Sequence, residues 1–198
     1  MREISIIRIS SFLTVASLIL PGPASAHLVT TGMGPVYDGI GHLLLTPEDL
    51  VPALALALFA GLRGAVAGRR AMFLLPLAWI MGGVVGSKLN VTSAFPIPAL
   101  SFLLLGGLIA ADLYMPAAAF TLLSILVGLV HGFLNGVALN EGAGLLGLIG
   151  ITTMLFILVT LVSASVVSLK RPWTRVAVRV AGSWIVATGM LMIGWAMR

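Results

Sequence analysis

The sequence predicts an all-α fold, a polytopic transmembrane helical bundle of about six helices that follows a cleavable signal peptide. Three observations carry this prediction: composition, the spacing of apolar runs and the placement of basic residues. The 198 residues are 60% hydrophobic and 9% charged, with a mean hydropathy of +1.16. A soluble domain typically has about 25% charged residues, so we expect lipid to cover most of this surface.

The amino end has the three parts of a secretory signal peptide. Two arginines, Arg2 and Arg8, precede an apolar stretch at 9–20, a Pro-Gly-Pro breaker follows at 21–23, and an A-x-A site occupies 24–26. The apolar core is shorter than the ~20 residues that a span needs, which disfavours an uncleaved first helix. We therefore expect cleavage after Ala26, with His27 as the new amino terminus.

Six apolar runs of near-spanning length follow. They predict helices at 47–67, 71–88, 94–113, 116–139, 143–169 and 173–197. The chain is thus expected to comprise a signal peptide (1–26), a periplasmic segment (27–46) and a transmembrane bundle (47–198).

Basic residues orient this bundle. If residue 27 lies outside, most of the cations fall on the inner side, as the positive-inside rule requires. These inner cations are Arg63, Arg69, Arg70, Lys170, Arg171, Arg175 and Arg179. The same assignment places the three histidines and most carboxylates toward the outer face, with Asp112 as the inner acid. We predict a multi-pass protein of the bacterial inner membrane with a periplasmic amino terminus.

Glycines spaced four residues apart mark the fourth predicted helix. Gly128, Gly132 and Gly136 form a flat stripe that lets another helix approach closely. The second predicted helix carries a shorter pair, Gly82 and Gly86. We interpret both sets as packing surfaces rather than ligand sites.

His131 and Asn135 lie one turn apart on a face beside that stripe. An ionisable group inside a membrane helix is costly and usually faces the bundle interior or a cavity. We therefore interpret His131 and Asn135 as a functional pair. The alternative is a neutral histidine that is hydrogen-bonded to a neighbouring helix.

A second group of polar residues precedes the first predicted helix. His42 lies shortly before Glu48 and Asp49. Thr46 and the following proline are typical of a helix start, so capping and the helix dipole alone could explain both acids, but not His42. Imidazole and carboxylate ligands suit a divalent transition ion such as Ni, Co, Cu or Zn, and the amine and imidazole of His27 offer a further chelating pair.

Two stretches resemble motifs of the HupE/UreJ family. Residues 41–50 read G-H-L-L-L-T-P-E-D-L, similar to the family's first-helix pattern G-x-x-H-x-x-x-G-x-D-H-x-L, and residues 127–133 read V-G-L-V-H-G-F, similar to its F-G-L-x-H-G-F. Members accompany hydrogenase and urease gene clusters and are regarded as nickel or cobalt permeases or metal-handling accessory proteins. The resemblance implies that His42 and His131 are ligand or pathway residues.

This chain departs from the family pattern at several of its polar positions. Glu48 and Asp49 stand at the family's Asp-His pair, and Asn135 stands where some members have another histidine. Fewer imidazoles and more oxygen ligands make a harder site. We therefore expect a lower affinity for nickel than in members with more histidines.

These features favour a metal permease or metal-binding accessory protein. One alternative is a non-transporting structural or assembly subunit of a larger membrane enzyme complex, and another is a proton-coupled carrier of a small organic solute. Hydrolase motifs and cysteines are lacking, so we predict that the chain is not an enzyme. The expected partners are the lipid bilayer, a metal ion and a metalloenzyme or other membrane subunits. We expect no nucleic acid and no tightly bound cofactor.

Overall fold

The computed structural model describes residues 30–89, 96–139 and 142–197, and the regular structure in these ranges is entirely helical. The predicted signal peptide and His27 lie outside the described residues. The helices are α1 (Pro35–Leu45), α2 (Pro47–Arg63), α3 (Ala65–Gly86), α4 (Ile97–Ala110), α5 (Ala117–Leu139), α6 (Gly144–Val167) and α7 (Pro172–Ala196).

Six of these helices match the six predicted apolar runs. The largest difference lies between α2 and α3, where the predicted break at 68–70 is found at Gly64 instead. Gly64 has a φ of 100°, a conformation that suits glycine, and so α2 ends at Arg63 and α3 begins at once. The all-helical fold predicted from the sequence is confirmed.

The helix α1 was not predicted and lies within the expected periplasmic segment 27–46. It joins α2 through Thr46, and the two helix axes differ in direction by 75°. Together α1 and α2 form either a broken span or a re-entrant pair. The helix α1 packs on α6, where an added methyl group at Gly39 or at Gly150 would overlap backbone of the other helix.

Membrane-spanning length differs among the helices. Among the described residues, α3, α5, α6 and α7 are long and apolar enough to cross a membrane, and the α1–α2 pair adds a fifth candidate span. The helix α4 has 14 residues, fewer than a straight span needs. The chain is therefore a multi-pass membrane protein, and its described residues contain four or five candidate spans by this measure.

The predicted glycine stripes pack against each other. The parallel helices α3 and α5 meet so closely that a methyl group at Gly132 would overlap the carbonyl of Trp79, and one at Gly136 would overlap that of Gly83. Gly82 contacts the backbone of Leu129 in the same way. The prediction that these glycines serve packing is confirmed.

The helix α2 occupies the centre of the bundle. It contacts all six other helices, and most of its second half is buried. Its Leu56 and Phe59 are fully enclosed in the apolar core. Because α2 is central, a polar residue in its first turn can reach several helices at once.

The far end of α2 carries an ion cluster. Asp112 follows α4 in a left-handed conformation with φ 51°, and its carboxylate pairs with Arg63 and accepts a 2.9 Å hydrogen bond from Nε of Arg175. The hydrogen bond from Arg175 is the main cause that lowers the pKa of Asp112 below its ordinary value. Arg63 and Asp49 mark opposite ends of α2, about 21 Å apart along its axis.

Candidate functional site

Asp49 lies in the first turn of α2 and is only 5% exposed. A residue that merely complements the helix dipole can stay in solvent, as Glu48 does next to it. The carboxylate of Asp49 instead faces the bundle interior and bonds to side chains of another helix. Capping and the helix dipole alone therefore do not account for the burial of Asp49.

The helix α5 supplies two partners for this carboxylate. Nδ1 of His131 lies 3.1 Å from Oδ1 of Asp49, and Nδ2 of Asn135 donates to Oδ2 at 2.7 Å. His131 is 0% and Asn135 2% exposed. Residues four apart on a helix share a face, and so the pair holds both oxygens of one carboxylate.

Two further side chains complete this network. Trp79 on α3 donates from Nε1 to Oδ1 of Asn135 at 3.2 Å, and its ring stacks on His131 with centroids 5.5 Å apart. Ser101 on α4 places its Oγ 2.9 Å from Nε2 of His131. Sequence reasoning missed both residues. The signal for Trp79 was its position beside the glycine pair of α3, which packs on α5.

The hydrogen bonds constrain the tautomer of a neutral His131. With Asp49 ionised, its carboxylate only accepts hydrogen bonds, and the proton then lies on Nδ1 of His131. In a neutral imidazole, Nε2 then accepts from the hydroxyl of Ser101. Metal-binding histidines commonly have the same arrangement, in which one ring nitrogen donates to a carboxylate and the other is free to act as a ligand.

His42 approaches the same carboxylate from α1. Its Nε2 lies 3.8 Å from Oδ2 of Asp49, an ion-pair distance rather than a hydrogen bond. The side chain of His42 is 16% exposed, whereas that of His131 is fully buried. Asp49 thus lies between a histidine with some exposure and a histidine in the core. We call Asp49, His42, His131, Asn135, Trp79 and Ser101 the Asp49 network.

Comparison with known proteins identifies the family. The family described as HupE / UreJ protein matches residues 15–192, most of the chain. The chain belongs to the HupE/UreJ family. This family comprises accessory and transport proteins rather than enzymes, and it is associated with nickel and cobalt uptake for hydrogenase and urease. No curated protein and no solved structure matches the chain.

The two HupE/UreJ-like motifs meet in the structure. The first, at 41–50, supplies His42 and Asp49, and the second, at 127–133, supplies His131. Glu48, the other carboxylate of the first motif, is exposed. The carboxylate of the network is therefore that of Asp49.

The Asp49 network is closed by hydrogen bonds in this conformation. Among the described residues, no three histidine, aspartate or glutamate side chains are arranged to hold a metal ion. The network nevertheless contains two imidazoles and a carboxylate, a donor set that suits nickel, cobalt, zinc or Cu(II). An ion would have to replace at least one present contact, such as that between Ser101 and His131.

Proposed function

We propose that this HupE/UreJ protein is an inner-membrane permease or metal-binding accessory protein for a divalent transition ion of the nickel or cobalt type. The observation that carries the proposal is the burial of the Asp49 carboxylate between His42 and His131 inside an apolar bundle. Ionisable residues at such positions are costly and commonly mark ion pathways.

The burial of the ligands supports a direction for the ion. Glu48 is exposed beside His42, and its charge would raise the local cation concentration at the mouth. His42 is partly exposed and His131 is fully buried, so the ion would pass from His42 to His131 by way of Asp49. His27, if it is the mature amino terminus, would offer an amine and an imidazole as a further chelating pair.

The hydrogen bonds support a way of accommodating the ion. If Nδ1 of His131 keeps its bond to Asp49, Nε2 becomes a ligand once the hydroxyl of Ser101 turns away. Asn135 would hold the second carboxylate oxygen in place. The negative charge of Asp49 would balance part of the charge of the ion in a site with little water.

The orientation of the bundle supports a periplasmic entrance. The ion cluster around Asp112, with Arg63 and Arg175, lies at the opposite end from the Asp49 network. By the positive-inside rule, the arginine end would face the cytoplasm. The Asp49 network would then lie near the periplasmic side of the inner membrane.

Uptake of radioactive nickel or cobalt into proteoliposomes tests the proposal. We expect His42→Ala and His131→Ala each to abolish uptake. Ser124→Ala is a matched control, because Ser124 is buried on α5 but donates to its own helix at Phe120. Wild-type uptake rates in both histidine variants, with all variants folded, would overturn the proposal.

A second candidate is a non-transporting subunit that assembles with a larger membrane enzyme. It is favoured by the closed hydrogen bonds of the Asp49 network, which in this conformation lacks a metal-holding cluster among the described residues. Stoichiometric co-elution with a metalloenzyme in mild detergent, without bound metal, would support this candidate. Metal bound to the isolated chain would count against it.

A further inference from the structure

A groove opens between α3 and α5 on the exterior of the helical bundle. It lies near the end of the bundle that carries the arginines of the ion cluster. Its volume is about 740 Å³. Arg70, Ala117 and Thr121 line one end, and Leu74, Leu122 and Ile125 continue the walls. We call it the Arg70 groove. None of the residues that line this groove belongs to the Asp49 network.

Arg70 is held at the polar end of this groove. Its Nη1 donates to the carbonyl of Ala117 at 2.9 Å and to the hydroxyl of Thr121 at 3.3 Å. Among the described residues, Nε and Nη2 have no protein partner and the guanidinium has no carboxylate beside it, because Asp112 is paired with Arg63 and Arg175. Two free N–H donors on one guanidinium match two oxygens of a phosphate.

The walls of the groove change from polar to apolar along the helix axes. Leu74 is one turn beyond Arg70 on α3, and Ile125 is one turn beyond Thr121 on α5. Both helices run away from the arginine end, so the apolar part of the groove lies deeper in the membrane. Arg70 is five residues into α3, about 7 Å from its start, a depth suited to lipid headgroups.

We propose that the Arg70 groove binds an anionic phospholipid, with its phosphate on Arg70 and an acyl chain along Leu74, Leu122 and Ile125. Basic pockets between membrane helices on the cytoplasmic side are known to hold anionic headgroups. Exposed cations at the same end of the bundle, such as Lys170 and Arg171, add to the attraction. The polar-to-apolar order of the groove fits a lipid better than it fits a free ion.

Native mass spectrometry of the full chain in neutral detergent tests the phosphate contact. Phosphatidylglycerol and phosphatidylcholine with the same acyl chains are titrated separately. We expect wild type to prefer phosphatidylglycerol and Arg70→Gln to reduce its affinity for that lipid about tenfold, the loss of one charge-assisted contact. Arg69→Gln is the matched control, with an expected change of less than about twofold.

Equal affinity of wild type for both lipids would overturn the proposal, as would equal losses in Arg69→Gln and Arg70→Gln. Ile125→Ala, which removes part of the apolar wall without altering Arg70, tests the acyl contact. We expect it to weaken binding of long-chain phosphatidylglycerol but not of a short-chain analogue. If inorganic phosphate competes as well as the lipid does, or if a second protein copy occupies the groove, the lipid assignment is wrong.

Discussion

Replacing Asp49 with alanine should destabilise the bundle far more than the same change at Glu48. Asp49→Ala removes the acceptor of two buried hydrogen bonds, those from His131 and Asn135. Side-chain hydrogen bonds inside membrane proteins average about 0.6 kcal/mol and reach about 1.7 kcal/mol. Two of them predict a loss of about 1–3 kcal/mol in the free energy of unfolding.

Glu48→Ala is the matched control because it removes a neighbouring carboxylate from the same helical turn. The interaction with the helix dipole is therefore lost in both variants, and the difference between them isolates the buried hydrogen bonds. The assay is reversible unfolding in mixed detergent micelles, followed by tryptophan fluorescence.

The opposite result is physically conceivable, since the free energy needed to desolvate a carboxylate can exceed the stabilisation that its hydrogen-bond partners provide. If Asp49→Ala were as stable as Glu48→Ala, or more stable than wild type, the hydrogen bonds would not hold this core together. The account of Asp49 as the centre of the network would then be refuted.

Three further predictions concern packing, the ion cluster and the tryptophan. Gly132→Ala should lower the free energy of unfolding by about 1–3 kcal/mol, because its methyl group would overlap the backbone of α3. Gly107→Ala, with open space around it among the described residues, should leave the stability unchanged. Equal effects of the two changes would contradict the close packing of α3 and α5. Asp112→Asn should be less stable than wild type near neutral pH. The pKa of Asp112 is lowered in the folded protein, so its ionised carboxylate stabilises the fold at pH values above 3.8, the ordinary pKa of an aspartate. This difference should shrink as the pH falls through the lowered pKa, and a difference that is constant with pH would argue against it. Trp79→Phe should lower stability by about 0.5–1.5 kcal/mol through loss of one hydrogen bond, while the exposed Trp184→Phe should be neutral.

The helices were predictable because their signals are local. Runs of apolar residues have the length of the membrane, and glycines four apart indicate a close helix contact whatever the partner is. The helix α1 lacked such a signal, because it has 11 residues and two glycines. Its stability comes from packing on α6, about a hundred residues later in the chain, which no local pattern reveals.

The site was predictable in part for the same reason. His131 and Asn135 were detectable as polar residues in an apolar helix, and His42 as a residue that capping does not explain. An aspartate at position 49 is consistent both with a helix start and with a buried site. Only the packing of α5 against α2 shows that Asp49 is buried. Ser101 gave no signal, because a single hydroxyl in a membrane helix can bond to its own backbone.

The most direct test of the metal proposal is metal analysis of the purified full chain after equilibration with nickel or cobalt. We predict one ion per chain in wild type and loss of that ion in His42→Ala and His131→Ala, with Ser124→Ala unchanged. Wild-type protein without metal, or full occupancy in both histidine variants, would contradict the assignment of the Asp49 network as a metal site.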